Sequence, residues 1–194
     1  QPSALAETLR GRVVGDRISL PELDGLPLED LRRGYLVAAG SSHYAGIAAK
    51  LMFESWARLP MEAAVASELR YCEPVLGPDT LVVLISQSGE TADTLAAARA
   101  AIDAGAVTLA VTNVVGSSLQ RMARASLLLQ VGPEVGVVAT KTFTGQIMAL
   151  TLVAAETARR RGRLSEDDVS VLARELRSVP EAVQAAIETE PAVA

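Results

Sequence analysis

Apolar residues in this chain fall into two alternating patterns: short, mostly apolar runs, and stretches where they recur every three to four positions. Strand-like apolar runs occupy residues 35–39, 61–66, 81–85, 107–112 and 126–131. Each is five or six residues long and rich in Val, Leu and Ala, the signature of a strand buried on both faces. Between them lie helix-period stretches at residues 43–58 and 91–104, and from Thr140 to an arginine cluster at Arg159, Arg160, Arg161 and Arg163. Gly40, Gly105 and Gly162 sit where these segments should stop, and residues 116–118 should cap a short helix. This alternation predicts an α/β fold, a parallel sheet covered by helices.

Two flanking pieces read differently. Residues 1–31 hold a short helical stretch and a turn-rich segment from Pro21 to Pro27. Beyond Gly162, Ser165 and Asp168 have the spacing of a capping box, with Leu164 and Val169 placed as a hydrophobic staple. Pro180 is expected to break the helix that starts there, and residues 182–187 to resume it.

Composition narrows the classes. Of 194 residues, 49% are apolar but only 3% aromatic, so the core must be packed from small aliphatic side chains. A net charge of −5 opposes nucleic-acid binding, and the arginine cluster reads as cations at a helix C-terminus. The single cysteine, Cys72, excludes an internal disulfide and a thiolate-rich metal site, and is expected to be a buried or half-buried structural thiol. No long apolar run and no signal peptide stand out, so the expected setting is the cytoplasm, with no membrane contact.

In open parallel sheets, ligands bind beyond the carboxyl ends of the strands. Two polar loops fall there: Gly40-Ser41-Ser42, and Ser86-Gln87-Ser88-Gly89-Glu90-Thr91. The second precedes a helix, whose first N–H groups and dipole favour an anion, and its hydroxyls add donors. Ser88 or Thr91 as a plain N-cap is the competing reading. Capping needs one hydroxyl, whereas the two loops together offer several, which favours a small phosphorylated ligand. A third stretch, residues 134–141, is expected to line a pocket with its backbone near Val137, with Thr140 as an ordinary N-cap and Lys141 structural. His43 reads as a surface or packing residue, and Glu90 is expected to turn away from the anion. No metal-ligand spacing, cofactor motif or serine–histidine–acid set is visible.

Residues 86–94, Ser-Gln-Ser-Gly-Glu-Thr-Ala-Asp-Thr, resemble the phosphosugar signature of sugar isomerase (SIS) domains in the form found in glucosamine-6-phosphate synthases. Gly40-Ser41-Ser42, residues 67–71, 113–118 and 134–144, and the opening Gln1-Pro2 with residues 8–12 resemble the same family in the same order. The resemblance implies a three-layer α/β/α sandwich with a five-stranded parallel sheet. It further implies an N-terminal helical and turn segment at 1–33, the SIS domain at 34–162, and a helical segment at 163–194 leading toward a second SIS lobe. Ser42, Ser86, Gln87, Ser88 and Thr91 would hold the phosphate of fructose 6-phosphate or glucosamine 6-phosphate, with Ser41 and the Val137 backbone near the sugar hydroxyls. Ala139 replaces a serine common in the family.

The family's Schiff-base lysine, proton-transfer residues and glutaminase cysteine have no counterpart here; Lys50, Lys141 and Cys72 are not those groups. The expectation is therefore a substrate-binding lobe of an isomerizing aminotransferase, without catalytic residues or cofactor of its own, and a homodimer by analogy. A deaminase-type isomerase lacking a glutaminase, and a non-catalytic sugar-phosphate sensor, are the alternatives.

Overall fold

The computed structural model describes residues 1–136 and 138–189. Its centre is a five-stranded, all-parallel sheet in the order β4-β3-β5-β6-β7. The strands are β3 (Arg33–Ala38), β4 (Met61–Val65), β5 (Thr80–Ile85), β6 (Val107–Thr112) and β7 (Ala125–Leu128). A small antiparallel hairpin, β1 (Val13–Val14) with β2 (Arg17–Ile18), precedes them and was not anticipated by the apolar pattern. The last strand ends three residues before its apolar run does, because Gln130 takes a left-handed backbone (φ 59°) that turns the chain out of the sheet.

Successive strand residues serve opposite faces, as the two-residue period requires. Leu81, Val83 and Ile85 pack with Leu36, Leu109, Val111 and Leu127 against α2 (Ser41–Met52) and α6 (Lys141–Arg160). Val82, Leu84, Val37 and Ala110 face the other way, against Ala97, Ala98 and Ala101 of α4 (Ala92–Asp103) and Leu119 of α5 (Ser118–Met122). α3 (Ala66–Leu69) joins this second layer through Ala66 and Leu69. The expected three-layer sandwich is therefore present. Alanines let the helices approach the sheet closely, which is how a core with so few aromatics closes.

Helix boundaries mostly follow the sequence. α2 begins at Ser41, two residues early, and its predicted last turn is a π-turn at Phe53–Ala57. Ser165 and Asp168 form the capping box of α7 (Glu166–Glu188). Pro180 does not break α7, which runs through it unbroken. One missing N–H costs a helix less when neighbouring turns are pinned. Here Leu176, Val179 and Val183 hold that face against the core beside α1 (Pro2–Leu9).

The arginine cluster does more than offset a helix dipole. Arg161 donates to the carbonyls of Ala57, Leu28, Glu29 and Leu31, and Arg160 to the Leu23 carbonyl and the Asp24 carboxylate. These bonds clamp the turn-rich N-terminal segment onto the end of α6. Burial, and then the charge of Arg163, lower the pKa of Arg161 from its ordinary value, and the carbonyls around it are what make its position tenable. Cys72 is exposed, contrary to expectation. It lies past α3 in the connection to β5, outside both packed layers. Among the described residues, no helix is long and apolar enough to cross a membrane.

Candidate functional site

The chain leaves β3 for β4 on one side, then returns to β5 on the other side of β3 before continuing to β6 and β7. Strand order therefore reverses between β3 and β5, and a crevice opens beyond their carboxyl ends. Ala38 pairs in register with Ile85, so the two polar loops emerge side by side at that point.

Gly40 takes φ 60°, ψ −138°, a conformation open essentially to glycine, and this bend turns the chain from β3 into α2. It places Ser41 and Ser42 in the first turn of α2, where no side chain caps the helix. Ser41 is exposed and Ser42 is buried.

The second loop is internally braced. The Gly89 N–H donates to Ser86 Oγ at 3.1 Å, and Ser86 Oγ shares a 2.9 Å hydrogen bond with Thr91 Oγ1. One proton joins those two hydroxyls, so the other remains for a ligand whichever group donates. The Glu90 N–H donates to Ser88 Oγ at 3.2 Å, which leaves the Ser88 proton available too. Thr91 is the N-cap residue of α4, yet its side chain makes no capping bond. The hydroxyls are thus turned away from plain capping. The Gln87 carbonyl accepts from the Asn113 N–H at 3.0 Å and the Thr112 hydroxyl at 3.3 Å, tying the loop to the end of β6.

Glu90 is directed elsewhere, as anticipated. Its carboxylate accepts from the Ser118 N–H at 2.7 Å at the start of α5. That backbone bond, the Ser118 hydroxyl and the charge of Arg121 hold the Glu90 carboxyl below its ordinary pKa. The loop hydroxyls and the first N–H groups of α2 and α4 are left to donate, the arrangement an anion requires.

Beyond the ends of β5, β6 and β7 lies a concavity of about 500 Å³, lined by Gln87, Asn113, Val114, Gln130, Gly132, Pro133 and Glu134. Gln87 is the one residue it shares with the serine loop. Asn113 closes its floor by donating to the Gly132 carbonyl and accepting from the Val131 N–H. Thr140 is not the side-chain cap expected of it. Glu134 reaches forward and accepts from the N–H and hydroxyl of both Thr140 and Thr142, the Thr142 hydroxyl at 2.7 Å. Those bonds, the Thr142 hydroxyl foremost, hold its carboxyl below the ordinary range. Val137, expected to line the pocket with its backbone, lies outside the described residues.

Two further groups lie near the seat, and of these only Gln146 escaped sequence reasoning. Gln146 of α6 donates to Ser42 Oγ at 2.9 Å, and its own carbonyl oxygen is buried without a partner among the described residues. His43 is half-buried against Tyr44, its Nδ1 likewise unpartnered. Gln146 carries no sequence signal, since one polar residue in an amphipathic helix ordinarily reads as surface.

A family model described as the SIS domain matches residues 28–156. Over 95% of this chain, 46% of residues are identical to a glutamine–fructose-6-phosphate aminotransferase (isomerizing) of Mycolicibacterium smegmatis, and 30% of that protein is covered. The corresponding enzyme of Caldanaerobacter subterraneus subsp. tengcongensis is 42% identical over 95% of this chain and 31% of its own length. The chain thus spans about a third of the length of the curated relatives it matches. Among solved structures, the C-terminal domain of glucosamine-fructose-6-phosphate aminotransferase from Francisella tularensis superposes with a TM-score of 0.94 at 32% identity, covering 100% of this chain and 55% of that one.

Proposed function

Because this chain belongs to the SIS domain family, we propose that it is the sugar-phosphate-binding lobe of the isomerase part of a glutamine–fructose-6-phosphate aminotransferase. The observation that carries this reading is the pair of donor-rich helix starts at the strand-order reversal, with the Glu90 carboxylate of the loop drawn off to α5. In this assignment Ser42, Ser86, Ser88 and Thr91 hold the phosphate of fructose 6-phosphate or glucosamine 6-phosphate, and Gln87 borders it. Ser41 and the backbone near Val137 approach the sugar. Residues 34–162 form the lobe, braced by 1–33, and residues 163–194 carry the chain toward a second lobe. The cytoplasm is the setting such a metabolite implies.

The lobe binds and does not turn over. Among the described residues its seat contains no lysine amine for an imine and no free carboxylate for proton transfer, so in this reading those roles fall to the rest of a longer enzyme. Calorimetric titration of fructose 6-phosphate into this chain is expected to give saturable binding, with no ketose–aldose conversion by NMR in the same sample. Absence of binding sinks the phosphate assignment, and conversion sinks the division of labour.

Self-association is part of the proposal. Tyr44, Ile47 and Leu51 recur at helical spacing on α2 and are 66%, 43% and 67% exposed, an apolar stripe beside the seat. Sedimentation should give a dimer for the wild type and a monomer for Leu51→Asp. A monomeric wild type removes the dimer from the reading.

A further inference from the structure

We propose, resting on the reading of the serine loops as a phosphate seat, that Gln146 is a positioning residue that fixes the direction of the Ser42 hydroxyl. Ser42 sits in the first turn of α2 and Gln146 in the second turn of α6, 104 residues later, and both are buried. The Gln146 amide nitrogen donates to Ser42 Oγ at 2.9 Å.

A hydroxyl has one proton and two lone pairs, so an oxygen that accepts from an amide keeps its proton for another partner. Several helical hydroxyls elsewhere in the molecule spend that proton on their own helix: Thr151 donates to the Ile147 carbonyl and Ser170 to the Glu166 carbonyl, each at 2.8 Å. Ser42 makes no such bond among the described residues, and its only side-chain hydrogen bond is the one it accepts from Gln146. The proton is therefore left for the open end of the crevice. Gln146 acts as a backstop that makes Ser42 a dedicated donor, the polarity a phosphate oxygen needs.

A second observation separates this role from packing. Gln146 is 1% exposed, and its Oε1 has no partner among the described residues. Burying an unmatched carbonyl oxygen carries a cost that a methionine of similar shape at this place would avoid. The amide is kept in spite of that cost, and what it delivers is the bond to Ser42.

The test is a double-mutant cycle on fructose 6-phosphate affinity, with melting temperature read on every variant. Gln146→Met is expected to weaken binding about tenfold, the size of one misdirected hydrogen bond. In a Ser42→Ala background the same change is expected to shift affinity by less than about twofold, because nothing remains to direct. Equal losses in both backgrounds, or no loss in the first, overturn the proposal.

Gln146→Glu supplies an independent arm should Gln146→Met not fold. Its ionised carboxylate can only accept and would draw in the Ser42 proton, whereas its protonated form donates as the amide does. The ratio of wild-type to variant affinity, measured at each pH so that the ligand's own titration cancels, should fall toward one as pH is lowered from about 8 to about 5. A pH-independent ratio overturns the proposal. If the wild type binds, and Ser86→Ala weakens it while the cycle shows no coupling, the Gln146 role alone is lost. If the wild type does not bind, the phosphate reading falls and this inference falls with it.

Discussion

Replacing Ser86 and Ser88 together by alanine is expected to lower fructose 6-phosphate affinity by about a hundredfold or more, since each hydroxyl bonded to a charged group contributes about 1.5–3 kcal/mol. Both side chains accept from loop N–H groups and so present outward protons, directly or through Thr91. The competing reading, that these serines only cap α4, predicts something else. Loss of a cap costs about 1 kcal/mol of stability and leaves affinity unchanged. Calorimetric titration beside a thermal melt separates the two. Equal affinity in the double variant would remove the phosphate seat from this loop, whatever happened to the melt.

Gly89→Ala should be the most damaging single-methyl change in the molecule. Gly89 has φ 67°, where a side chain is strained, and an added Cβ would lie 2.3 Å from Ser117 Oγ, 2.6 Å from Ser117 Cβ and 2.9 Å from Thr112 Oγ1. None of these atoms is the end of a long, yielding side chain. Ser117 is buried and caps α5 by accepting from the Gln120 N–H, so pushing it aside opens that helix as well. Overpacking and left-handed strain together should cost about 2–4 kcal/mol. In a chain of this size that lowers the melting temperature by about 5–15 °C. Sugar-phosphate binding should vanish with it, because the Gly89 N–H also holds Ser86. An unchanged melt by scanning calorimetry would mean that the loop does not pack as described.

The sheet was legible in the sequence because β5 and β6 are buried on both faces and the other strands, though partly exposed, still write themselves as short apolar runs. The serine loop was legible because three hydroxyls and a glycine at a strand end have few structural uses. Other features left weaker traces. Pro180 was read as a break because local propensity counts the missing N–H and not the apolar face that holds α7 in place. Cys72 was placed inside because thiols usually are, while its true position depends on where a connection runs. Glu134 and Gln146 act across gaps of 6 to 8 residues and of 104 residues, and no local pattern encodes such pairings. The arginines at the end of α6 resembled a dipole offset, since the carbonyls they bind are invisible in a side-chain sequence.

That last clamp has a consequence for the order in which the molecule assembles. The carbonyls of Leu28, Glu29 and Leu31 receive their donor from Arg161, which lies 130–133 residues further along the chain. During synthesis those carbonyls emerge long before the group that satisfies them, and closing so long a loop is slow compared with forming a local turn. This stretch of the lobe is thus among the last to settle: residues 28–31 lock in place only after α6 has been made.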